Sequence, residues 1–235
     1  KGDRVVDLAF AGGLAREAHI FPVRDALIYV PSRRLGLEGK SFQGESYFTA
    51  DNPPFGALIS YWLQDTVNMQ KEKRREREKD LAGADKPIPY PAFEDMRRED
   101  QEQDPYLLFT IHDDDGAVVR RIKREATSGL HRFAWVLRYP PLKPVNLEGA
   151  EPDNPFMPED VGPWALPGTY SVSLSRVIDG VPDPLLEPVS FEVAPLNNAT
   201  LTAQDKAALL AFQQEAGRVS REITAAVRRL DEASN

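Results

Sequence analysis

The chain has 235 residues and a formal charge of −8, an acidic balance that excludes a general nucleic-acid binder, which needs a basic face. It contains no cysteine, so disulfides, thiolate zinc sites and thiol catalysis are excluded. A hydrophobic fraction of 41% supports a real core, a mean hydropathy of −0.45 predicts a soluble protein, and no apolar run reaches the ~20 residues that span a bilayer.

Residues 1–46 read as lead-in strands and loop. DRVVDLAF, AHIF and ALIYV are short apolar segments, with Gly12-Gly13 as a turn between the first two. Lys1-Gly2-Asp3 is no signal peptide, and the missing initiator Met reads as a processed or partial chain. A sandwich is predicted from 47–65 together with 105–195. Asn52-Pro53-Pro54 forces an extended approach, Gly56 lets the chain turn in, and Ala57–Leu63 is a compact strand-type run.

Residues 66–104 interrupt the sheet. Positions 71–80 are charged without exception, and the interval holds nine basic and eleven acidic residues. Opposite charges three apart (Glu72/Arg75, Lys73/Glu76) favour a solvated helix, whereas like charges four apart (Lys71/Arg75) weaken it. The PIPYP segment stops that helix and 93–103 reads as a second. The expectation is a helical hairpin, either a solvated excursion or a docking arm.

From 105 to 139 the pattern predicts three consecutive antiparallel strands, a β-meander. Leu107, Phe109 and Ile111 alternate with Leu108, Thr110 and His112, Asp115-Gly116 marks a hairpin, and Phe133, Trp135 and Leu137 share a side opposite Arg132, Ala134 and Val136. A long Pro-rich connection then crosses to the other sheet, packed by Phe156, Met157 and Trp164. GTYSVSLSRVI alternates cleanly and PVSFEV closes the sheet. In 196–235 the period changes to that of a helix, predicted over 202–232 and about 45 Å long. Its seam is Leu209, Phe212, Ala216, Val219, Ile223, Ala226 and Leu230, alternating at three and four residues as in a coiled coil. The fold class is therefore mainly β: an immunoglobulin/fibronectin-like antiparallel β-sandwich with a charged helical-hairpin insertion and a long C-terminal amphipathic helix.

YFTADNPPFGALISYWL, GLHRFAWVLRYPP and PGTYSVSLS, in this order and spacing, resemble the C-terminal module of bacterial BNR-repeat or sortilin-like glycosyl hydrolases. The similarity runs from about residue 19 onward. It implies an extracytoplasmic protein, periplasmic or secreted, a β-propeller preceding the module, and an ordered charged insertion. The family's W-D-L-R-Y segment has Asp where this chain has Val136, so no role of that carboxylate carries over.

His112 to Gly116 could suggest a calcium loop, but Ile111 and Arg124 occupy positions where ligands are needed, and an Asp-Gly turn already explains the residues. His19, His112 and His131 share no ligand spacing, and no nucleophile elbow, zincin, phosphate-loop or dinucleotide motif is present. Asn198-Ala199-Thr200 matches a glycosylation sequon, against whose use the resemblance to bacterial proteins argues. Tyr47, Phe48, Phe55, Tyr61 and Trp62 could form a sugar-stacking platform, though strand aromatics more often fill a core. The expected function is a non-catalytic docking or structural module without cofactor or metal. Its partner, a propeller, a second copy or another subunit, would be met through the C-terminal helix and the 66–104 hairpin. The alternative is a carbohydrate-binding module of a glycosyl hydrolase, with catalysis elsewhere.

Overall fold

The computed structural model describes residues 16–29, 53–144, 161–196 and 203–234. The chain is mainly sheet, with strands β1 (Ala18–Ile20), β2 (Ala26–Ile28), β3 (Ala57–Leu63), β4 (Tyr106–His112), β5 (Val118–Glu125), β6 (Gly129–Trp135), β7 (Gly168–Ile178) and β8 (Val181–Pro195). Helices α1 (Gln70–Gly83) and α2 (Phe93–Gln101) stand between β3 and β4, and α3 (Ala203–Ser234) follows β8. The strands form a three-stranded sheet, β1-β3-β6, and a five-stranded sheet, β2-β8-β7-β4-β5.

The expected meander is corrected here. β4 and β5 pair antiparallel, but β6 leaves that sheet and lies beside β3. Alternation tells which side of a strand is buried and says nothing about which strand lies next to it. β7 pairs directly with β4, so the long connection does cross, from the three-stranded sheet of β6 to the five-stranded sheet that also holds β4 and β5. Strand β2 runs parallel to β8, where an all-antiparallel arrangement is expected.

The structure resolves into two compact units, the first comprising Lys1–Val23, Ile59–Phe133 and Ser171–Ser190. Within it, Leu107, Phe109 and Ile111 are fully buried, as their period of two predicts. Phe109 of β4 meets Tyr61 of β3 and Phe133 of β6, each at 4.8 Å between ring centroids. Tilted and edge contacts of this kind each add about 1 kcal/mol to the burial itself. The β4–β5 turn closes when Gly116 takes a φ of 78° and the Asp113 carboxylate accepts a hydrogen bond from the Ala117 amide at 2.8 Å. That carboxylate is thus committed to the backbone.

The second unit comprises Arg24–Leu58, Ala134–Tyr170 and Phe191–Asn235. Trp135 is 1% exposed at its centre, packed against Tyr170 at 5.2 Å and Phe191 at 6.2 Å. Its indole N–H donates to the Arg138 carbonyl at 3.1 Å, so the buried polar atom is satisfied. Gly56, with a φ of 109°, lies so close that an added Cβ would stand 2.0 Å from the Trp135 carbonyl oxygen. Beyond Trp135 a short antiparallel contact links Leu137 to Ala165 and Tyr139 to Pro163. Trp164 there lies under the Arg138 guanidinium, 3.6 Å from the ring centroid. Phe156 and Met157 lie outside the described residues.

Candidate functional site

Helix α3 has two faces with different fates. Leu210 is buried, and Gly217 lies against Leu142 so tightly that a Cβ would come within 2.8 Å of the leucine Cβ. One helical turn on, the Arg221 guanidinium donates to the Leu142 carbonyl at 3.0 Å. These residues fall on one side because spacings of seven and four return to the same stripe. They fix the helix to its own unit.

The seam lies on the opposite side. Phe212 is 70%, Ile223 59% and Leu230 68% exposed, and Leu209, Ala216, Val219 and Ala226 are exposed as well. Phe212, Ala216, Val219 and Ile223 line a shallow apolar groove along the helix. Beside it Arg218 bonds to both Glu215 and Glu222. Hydrogen bonding to Arg218 holds the Glu215 carboxyl below the usual carboxylate range, and the same pair raises the guanidinium. The groove therefore has an apolar floor, with Glu215, Ser220 and Thr224 lining it beside the four apolar residues.

Of the five residues of the expected sugar platform, three lie among the described residues, and two of these, Tyr61 and Trp62, do not share a face. Tyr47 and Phe48 lie outside the described residues. Tyr61 is 3% exposed, its ring turned onto Phe109 and His131, and burial pushes its phenol pKa up. Trp62 follows it in β3 and so faces the other side of the strand. Phe55 makes edge contacts with Tyr29 and Trp164 inside the second unit. Adjacent residues of one strand cannot present one flat surface.

The first unit holds two further hollows that the sequence did not indicate. One, about 510 Å³, lies where β5 and β6 run near each other. Lys123 stands 3.9 Å over the Tyr106 ring, Arg124 4.7 Å over Phe133, and His131 stacks on Tyr61. The His131 Nε2 lies 2.9 Å from the Thr127 carbonyl, which can only accept, so this nitrogen carries a proton. The register places Arg124 opposite Leu107 and Arg120 opposite Ile111, on the core-facing side of an edge strand. Cations so placed close the core's margin and discourage pairing with another chain. Alternation within VVRRIKRE was the available signal, readable only once β5 is known to be an edge.

The other hollow, about 1040 Å³ and open, lies between α1 and α2. Arg74 grips Glu99 through two parallel hydrogen bonds at 2.7 and 2.8 Å and reaches Glu78 at 2.6 Å. Its bonds to Arg74 hold the Glu99 carboxyl below the usual range. The Gln70 amide donates to Glu102 at 2.7 Å, closing the hairpin's base. Tyr90 and Phe93 stand exposed at its tip.

Among the described residues no group of three or more His, Asp or Glu side chains is placed to hold a metal ion. No helix among them is long and apolar enough to cross a membrane. No protein-family model matches the chain, and no curated protein matches it.

Proposed function

We propose that this chain is a non-catalytic docking module. An immunoglobulin/fibronectin-like β-sandwich serves as scaffold, and the seam of α3 engages another protein surface. In each unit, aromatic side chains from the three-stranded sheet pack on the five-stranded one, which favours the sandwich. The carrying observation is the division of α3: one face held by Leu210, Gly217 and Arg221, the opposite face apolar and exposed at Phe212, Ile223 and Leu230. Covering a side chain of this size gains roughly 1.5–3 kcal/mol, so an exposed row of them is costly unless a partner removes it from water. An extracytoplasmic setting and an adjoining propeller rest on the resemblance alone. The carbohydrate-binding alternative is weakened because Tyr61, one of its aromatics, is buried.

The test is the double substitution Phe212→Asp with Ile223→Asp. The isolated, dilute variant should keep the parent's near-ultraviolet spectrum and melting temperature, because the seam residues Phe212, Ile223 and Leu230 stand exposed among the described residues. It should lose assembly measured by light scattering. A dilute variant that melts early would show that the seam serves its own fold, and a parent that assembles with a variant that assembles equally well would show that the seam docks nothing. A chromogenic glycan panel should show no turnover. Hydrolysis that tracks the purified chain and vanishes on replacing one Asp or Glu would contradict the non-catalytic assignment.

A further inference from the structure

We infer that the occupant of the α3 seam is the α3 seam of a second copy, running antiparallel about a two-fold axis level with residue 221; this rests on the docking function proposed above. The seam's apolar residues are arranged almost symmetrically about that level. Reversing the helix places Phe212 opposite Leu230 of the second copy, Ala216 opposite Ala226, and Val219 opposite Ile223. Large side chains meet at the ends, branched ones at the centre, and alanines between, where Phe212 can spread over the adjoining small layer. Such a contact is isologous and closes on itself. It also uses the exposed stripe from Phe212 to Leu230, with Leu209 set against Ala233, whereas a shift by one heptad strands Phe212 or Leu230 outside it.

Packing alone suits either direction, and charge decides between them. In a parallel pair, Glu215 would flank Ser220 and Glu222 would flank Val227 of the other helix, so neither carboxylate gains a partner. In the antiparallel pair, Glu215 lies beside Arg229 of the second copy, and the symmetry makes this contact twice. Glu222 then meets its own equivalent near the axis. Each copy of Glu222 is already neutralised by Arg218 of its own helix, which removes most of that repulsion. The anchoring residues Gly217 and Arg221 face away from the seam, so the second copy displaces neither of their contacts to Leu142.

The chain has no cysteine, which makes single-cysteine variants clean reporters. Phe212→Cys and Leu230→Cys are made separately in the full chain, mixed, and oxidised. The expected product is a mixed disulfide between 212 and 230, with little product from either variant alone. The parent's mass by light scattering should rise with concentration toward twice the 26.3 kDa of one chain. The double Asp variant should dimerise more weakly by roughly 100-fold or more. Efficient cross-linking of Phe212→Cys to itself would overturn the antiparallel register. A parent that stays at the mass of one chain at its highest attainable concentration, without mixed disulfide, would overturn the second copy as occupant. Neither result touches the docking function, whose own failure is early melting of the dilute Asp variant.

Discussion

Gly217 and Leu142 are in such close contact that the glycine's missing Cβ is the space the leucine side chain occupies. In an open helix, Gly→Ala gains about 1 kcal/mol by restricting the unfolded chain and favouring helix. Here the added methyl would stand 2.8 Å from the leucine Cβ, near the backbone, where the side chain cannot swing away. Gly217→Ala should therefore lower stability by about 1 kcal/mol or loosen α3. Gly83, with nothing within 4 Å of its virtual Cβ, is the control: Gly83→Ala should be neutral or stabilising. Matching effects of both substitutions on melting temperature would show that Leu142 does not anchor the helix.

Trp135 fills the middle of the second unit and satisfies its indole N–H on Arg138. Trp135→Ala should cost roughly 3–5 kcal/mol, the range for deleting a buried large aromatic. Gly56→Ala should also destabilise, since its Cβ would enter the Trp135 carbonyl and its φ of 109° disfavours a side chain. Denaturant melts of the two variants check both claims. An unchanged midpoint for Trp135→Ala would place this ring outside the core.

The hairpin should respond to acid through one pair. Glu99 has its carboxyl pKa lowered in the folded chain, chiefly by hydrogen bonding to Arg74. A lowered folded value means the stabilisation is present at neutral pH and is lost as pH falls through and below the ordinary carboxylate range. Helical circular dichroism of the parent should fall on acidification. Glu99→Gln should start lower and change less over that window. Identical acid profiles for parent and variant would show that the pair does not hold α1 to α2.

Much of this fold is legible in the sequence, because burial on strands and helices is periodic. Alternation put Leu107, Phe109 and Ile111 in the core, and the helical period placed α3 within two residues of its observed Ala203–Ser234 span. Sheet membership was not legible. The side chains of β6 alternate in the same way beside β5 or beside β3, and only long-range pairing chooses. The salt bridge closing the hairpin escaped for a related reason. Spacing within one helix reveals partners three or four apart, while Arg74 finds Glu99 in another helix. The seam of α3 was readable residue by residue, but its anchoring face was not, since nothing local ties Gly217 to a leucine in a distant loop. That Tyr61 and Trp62 cannot share one stacking surface was legible in the sequence itself: they are neighbours in a strand and must face opposite ways.

Amide hydrogen exchange along Ala203–Ser234, measured in dilute and in concentrated chain, tests most directly whether a second copy covers the seam. Protection between residues 209 and 230 should rise with concentration and fall back in the Phe212→Asp, Ile223→Asp variant, while β4 exchanges at one rate throughout. Exchange along the helix that is the same at every concentration and in the variant would contradict it.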